Sequence, residues 1–89
     1  MATYQAREGW EALGDPSRLA IVTCLAERPR AVGELADVLP ISRPAVSQHL
    51  KALLDSNLVS ASPSGTRRIY EINRAGFDRL NLWLDQFWA

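Results

Sequence analysis

Apolar positions recur at helical spacing through most of this chain and switch to strand spacing once. From Val32 to Leu54 they mark two short helices: Leu35, Ala36 and Leu39 on the first, Val46, Leu50, Leu53 and Leu54 on the second, at i, i+4, i+7 and i+8. Pro40 lacks an N–H and pushes Leu39 out of the α region, so the pattern predicts a break there. Ser42 stands where it can cap the second helix, with Pro44 in its first turn. Upstream, a helix over about residues 3–13 is expected, with Thr3 as cap and Gly14 closing it. Its apolar residues Tyr4, Trp10 and Leu13 are too few to hold it in isolation. Asp15-Pro16 starts a further helix, on which Leu19, Val22, Leu25 and Ala26 face one way with Ile21 beside them. Arg28-Pro29-Arg30 ends it.

After Leu54 the period falls to two. Leu58–Ser62 and Arg67–Ile72 flank a turn-rich Pro63-Ser64-Gly65-Thr66, with Tyr70 and Ile72 toward the core and Glu71 away from it. Asn73 can cap a last helix over residues 74–88. Phe77, Leu80, Leu84 and Phe87 give it a docking stripe, and Leu82, Trp83 and Trp88 exceed that stripe. The sum is a mainly α chain with a small β-hairpin (α+β): about five helices plus a two-stranded wing, a winged helix-turn-helix in one domain over residues 1–89. At 89 residues it buries roughly 60–65% of its unfolded surface around a single core. No apolar run approaches ~18 residues and no signal-peptide pattern is present, so no membrane span and a cytoplasmic location are expected. The single cysteine, Cys24, excludes an internal disulfide framework and reads as a small buried hydrophobe.

The outward face of the second helix carries Arg43, Pro44, Ser47, Gln48 and Lys51, with no acid before Asp55, a surface suited to a DNA major groove. The net charge is zero, which argues against a generic nucleic-acid coat, but its distribution is uneven. Arg43, Lys51, Arg67 and Arg68 stand against Asp55 alone between residues 41 and 68, while the first fifteen residues set Glu8, Glu11 and Asp15 against Arg7. The candidate DNA-binding residues are therefore Arg30, Ser42, Arg43, Pro44, Ala45, Ser47, Gln48, His49 and Lys51, joined by Arg67 and Arg68 on the wing. Arg28 and Arg30, which precede the helix-turn-helix, have two readings: either could reach a phosphate, or both lie in a solvated loop. The lone His49 has no partner ligands, so a structural or phosphate-bonding role is favoured over metal ligation. One histidine and one cysteine on separate helices, without a Gly-rich phosphate loop, do not suggest an enzyme. The rival to DNA binding is a winged helix used for protein–protein contact, which would present an apolar or acidic face.

The whole chain resembles the ArsR family of winged-helix transcriptional regulators. The matching stretches are Leu13-Gly14-Asp15-Pro16-Ser17-Arg18-Leu19, Glu34-Leu35-Ala36, Ser42-Arg43-Pro44-Ala45-Val46-Ser47-Gln48-His49-Leu50-Lys51 and Gly65-Thr66-Arg67-Arg68-Ile69-Tyr70. The resemblance implies a homodimeric repressor on a palindromic double-stranded operator. First and last helices would form the interface, and paired recognition helices would enter successive major grooves. The interface residues expected are Tyr4, Trp10, Leu13, Phe77, Leu80, Trp83, Leu84, Phe87 and Trp88. Metal-sensing members carry a Cys-x-Cys pair on the helix before the turn, where this chain reads Glu34-Leu35-Ala36-Asp37-Val38-Leu39. Others use Asp and His on the last helix, which here has Asp78 and Asp85 but no histidine, so neither a metal nor another cofactor is expected. Pro40 also replaces the Gly found in the turn of many members.

Overall fold

The structure, a computed structural model, describes residues 2–88, and side chains from 7 to 87. The expectations for the Thr3, Tyr4 and Trp88 side chains fall outside the described residues. The elements run α1 (Ala2–Leu13), α2 (Pro16–Glu27), α3 (Val32–Val38), α4 (Arg43–Asp55), β1 (Val59–Ser64), β2 (Arg67–Ile72) and α5 (Arg74–Trp88). Among the described residues, five helices and one antiparallel hairpin match the expected architecture, a winged helix-turn-helix. None of the described helices is long and apolar enough to cross a membrane.

Local chemistry fixes most boundaries. The Asp15 carboxylate accepts the Ser17 and Arg18 amide N–H groups at 2.8 and 3.1 Å, and Pro16 opens α2 where a missing N–H costs least. The Arg18 amide above all, joined by the Ser17 amide and electrostatic contributions from His49 and Arg18, holds the Asp15 carboxyl below its ordinary value despite the opposing effect of desolvation. Ser42 Oγ accepts the Ala45 N–H at 3.3 Å to start α4. Between them, Leu39 is extended (φ −112°, ψ 146°), as a residue before proline must be. The end of α4 closes in a Schellman turn. Leu58 N–H bonds the Leu53 carbonyl, Asn57 N–H bonds the Leu54 carbonyl, and Asn57 takes φ 61°. Asn73 serves α5 through its carbonyl, which accepts the Gly76 and Phe77 amides.

Ile21, Leu35, Val46, Leu50, Leu53 and Leu58 are fully buried, and Val22, Leu25, Val59, Tyr70 and Leu80 close the core around them. The face expected for α2 needs correction. Ile21, Val22 and Leu25 point inward, whereas Leu19 is 50% exposed and Ala26 lies in solvent. α2 is apolar on nearly every side, so residue spacing alone allows two faces, and packing on α4 and β2 selects the one through Ile21.

The hairpin is longer than its turn-rich sequence suggests. Pairing runs from Val59 opposite Ile72 to Ser64 opposite Arg67, leaving only Gly65-Thr66 as the loop. Gly65 takes φ 65°, the sign a Gly-first hairpin turn requires, and Pro63 is tolerated because a two-stranded sheet has only edge strands. On the far side of β2, Arg30 exchanges both backbone hydrogen bonds with Tyr70 at 2.9 and 2.8 Å. This rung ties the segment before α3 to the wing.

Candidate nucleic-acid interface

Sealing one side of α4 exposes the other. Val46, Leu50 and Leu53 are buried, and the opposite side presents Arg43, Pro44, Ser47, Gln48 and Lys51 to solvent beside the exposed cap residue Ser42. Lys51 is loosely paired with Asp55 at 3.3 Å, one turn on. Ala45 and His49 are half-buried on the flanks of this face.

The first turn of α4 crosses α3 closely. A Cβ on Gly33 would stand 3.1 Å from Arg43 Nη2, so the absence of a side chain there makes room for the guanidinium. Arg43, Arg67 and Arg68 converge with Glu34 and Asp37 on a groove of about 440 Å³ between α3, the start of α4 and the wing. Arg67 Nη2 donates to Glu34 Oε1 at 2.8 Å and Arg28 Nη1 to Glu34 Oε2 at 3.1 Å. Glu34 also accepts the Ala31 N–H at 3.1 Å. Ala31 has no side-chain oxygen, so this is the only half of a capping box that α3 makes. The Ala31 N–H first, then Arg28, hold the Glu34 carboxyl below its ordinary value. Arg68 lies over the Tyr70 ring, its guanidinium carbon 5.7 Å from the centroid.

One expected contact residue is not on this surface. Arg30 is buried, 8% exposed, with Nε on the Cys24 carbonyl at 3.2 Å and Nη2 on Glu27 at 3.1 Å. Its guanidinium is consumed in closing the end of α2, so it is a structural residue and not a phosphate ligand. Its neighbour Arg28 is the exposed member of the pair. The sequence reading also missed Glu34 and Gly33. An Ala31/Glu34 spacing hints at the half box, but the partner on the wing lies 33 positions away.

A second surface lies where α1 meets α5. Trp10 and Trp83 rings stand 6.4 Å apart at 50°, and Phe87 meets Trp83 edge-on at 5.0 Å. Trp10, Leu82 and Phe87 are 37%, 66% and 64% exposed. Two expectations change here. Leu80, assigned to an interface with a partner, is only 4% exposed and packs on Gly9, where a Cβ would approach Leu80 Cδ2 to 2.8 Å. Trp83, expected outside the docking stripe, packs on the chain's own core, while Phe87 of that stripe is exposed. Phe77 and Leu13 are likewise half-buried against that core, and Leu84 is half-buried. Among the described residues no three His, Cys, Asp or Glu side chains gather as a metal site, and Cys24 is a half-buried free thiol.

A helix with an exposed polar face, a two-stranded wing and a buried scaffold beneath them define a winged helix-turn-helix protein. Residues 15–61 match the model of the bacterial regulatory protein, arsR family. The chain is 53% identical over its full length to the HTH-type transcriptional regulator Rv2034 of Mycobacterium tuberculosis, covering 84% of that protein. It is 33% identical to the arsenical resistance operon repressor of Staphylococcus xylosus, over 84% of this chain and 72% of the relative. Among solved structures, an ArsR-like transcriptional regulator from Rhodococcus sp. RHA1 superposes with a TM-score of 0.89 at 30% identity, over 98% of this chain and 83% of that one. The homodimeric winged helix-turn-helix DNA-binding domain of Mb0332 from Mycobacterium bovis gives 0.78 at 35% identity, over 96% and 78%. The chain belongs to the ArsR family: it is a transcriptional regulator with a DNA-binding winged helix-turn-helix, and not an enzyme.

Proposed function

We propose that this protein is a cytoplasmic homodimeric repressor that reads a palindromic operator with one copy of α4 in each half-site. Ser47 and Gln48 face base edges, and Gln has the geometry for a bidentate contact with adenine. Arg43 reaches a guanine or a phosphate at the rim. Ser42, Pro44, Ala45, His49 and Lys51 line the approach, and Arg67 and Arg68 carry the wing to the backbone or minor groove. The observation that carries this reading is the division of α4 into a sealed apolar side and an exposed Arg43–Ser47–Gln48 side. The Staphylococcus xylosus relative, an operon repressor, supports repression, and the homodimeric Mycobacterium bovis domain supports a two-fold assembly. The dimer would form through the terminal helices, on the surface around Trp10, Trp83 and Phe87. No soft metal ion acts as effector, because α3 carries no cysteine and α5 no histidine.

Selecting bound sequences from a random duplex library tests the reading. The expected product has two-fold symmetry with half-site centres about 34–36 Å apart. Recovery of asymmetric or unspaced sequences would remove the paired-helix mechanism.

A further inference from the structure

Glu34 stands at the corner where the DNA-facing surface turns from α3 to the wing. Its carboxylate gathers three donors from two segments: the Ala31 N–H at 3.1 Å and Arg28 Nη1 at 3.1 Å from the α2–α3 connection, and Arg67 Nη2 at 2.8 Å from the wing. The wing arginine therefore already holds an anion before any phosphate arrives. Both guanidinium side chains are 57% exposed, so each can swing outward without unpacking the core. Exposed ion pairs are weak in water, and a phosphate brought within reach can replace the carboxylate. The pairing is not imposed by the local fold either, since hairpin register and the Arg30–Tyr70 rung position β2 without it.

We propose that Glu34 is a specificity-determining residue, a phosphate stand-in that occupies Arg67 and Arg28 and offsets one of their two charges away from the operator, and yields them when α4 is seated on its bases. The inference rests on the reading that α4 and the wing bind DNA. Affinity for arbitrary sequence is almost wholly phosphate neutralisation, so every arginine held by Glu34 is subtracted from it. At the operator, base contacts by Ser47 and Gln48 bring the wing against the backbone and the exchange occurs. Non-specific affinity falls more than specific affinity, and their ratio is what finds a site in a genome.

The test is Glu34→Gln, which keeps an oxygen for the Ala31 N–H and removes the charge. Binding is measured against salt on a 24-base-pair mixed-sequence duplex and on the tightest duplex recovered by selection. On mixed sequence the variant binds roughly three- to tenfold tighter at low salt, and its slope against log salt steepens by about one to two, as one or two additional phosphates are neutralised. The selected duplex gains less, and adding Arg67→Ala cancels most of the gain. A Glu34→Gln chain with unchanged thermal melting that binds mixed sequence no better, or worse, overturns the proposal. If that variant does not fold, Arg67→Ala alone decides: it leaves the mixed-sequence slope unchanged and weakens the selected duplex, whereas a lost slope on mixed sequence overturns the masking. A wild-type chain that binds neither duplex defeats the DNA reading itself, and this inference with it.

Discussion

Gly76 in the first turn of α5 lies directly against the Asn57 carbonyl, at the point where α4 hands over to β1. A Cβ at position 76 would overlap that carbonyl oxygen, and the obstacle is backbone held in the Schellman turn by the Leu58–Leu53 hydrogen bond. α5 therefore seats on the end of the recognition helix only because residue 76 has no side chain.

Gly76→Ala is accordingly expected to destabilise the chain by about 2–3 kcal/mol, as a forced backbone shift in a packed interior does. Gly33→Ala is the contrast. The neighbour there is the flexible end of Arg43, and alanine is the better helix former, so stability should change by less than about 1 kcal/mol. Urea midpoints of both variants check the pair, and equal losses would contradict the close approach at Gly76.

Acid should weaken the fold with a definite sign. Asp15 and Glu34 both have carboxyls held below their ordinary values of 3.8 and 4.5 by backbone N–H donors. A carboxyl with a depressed folded pKa contributes stability above its unfolded pKa and loses it as pH falls through the folded one. Stability should thus be level above about pH 5 and decline on acidification below it. Asp15→Asn keeps an N-cap acceptor but cannot titrate, so it should flatten the Asp15 part of that decline. Chemical denaturation between pH 3 and 7 measures this, and an identical decline in the variant would deny Asp15 any share in it.

If α4 reads bases as proposed, direct readout should centre on Gln48. It is exposed five residues beyond Arg43, and Val46 and Leu50 beside it fix the rotation of α4. Gln48→Ala should cost about 1–3 kcal/mol at one base position of each half-site and relax the preference there. Competition binding with single-base operator variants reads this out. Uniform weakening across all sequences would mark Gln48 as a backbone contact instead.

What could be read from the sequence was whatever is decided locally. Asp15-Pro16 and Ser42 with Pro44 name their caps because donor and acceptor lie within three residues, and Pro40 enforces the break between α3 and α4 on its own. The division of α4 into two sides was legible because its polar and apolar residues separate cleanly. α2 was not legible in that way, because its apolar residues encircle it and only packing picks Ile21 over Leu19. Arg30 misled because charge alone does not say whether an arginine meets a phosphate, or a carbonyl and a carboxylate of its own chain. Gly76, Glu34 and Leu80 depend on partners 19, 33 and 71 positions away, Asn57, Arg67 and Gly9, and no local pattern encodes such meetings.

The proposed dimer is best tested at Phe87. Trp83 is the larger ring, but it packs on the chain's own core, so a charge there would unfold the subunit and leave assembly unaddressed. Phe87 is 64% exposed and touches the Trp83 edge, so within one chain it has little to lose. In a two-fold interface around Trp10, Trp83 and Phe87 the same ring would be covered, in the aromatic, charge-poor centre such contacts favour. Phe87→Asp would then bury a carboxylate without a partner, a cost of several kcal/mol that association at micromolar concentration cannot offset. The expected outcome is a folded monomer, melting cooperatively but below the wild type because it lacks the stabilisation of association, and no binding to a two-half-site duplex. Sedimentation velocity at micromolar concentration decides it. A variant that still sediments as a dimer moves the interface off α5, and a wild-type chain that sediments as a folded monomer removes the dimer and the half-site spacing together.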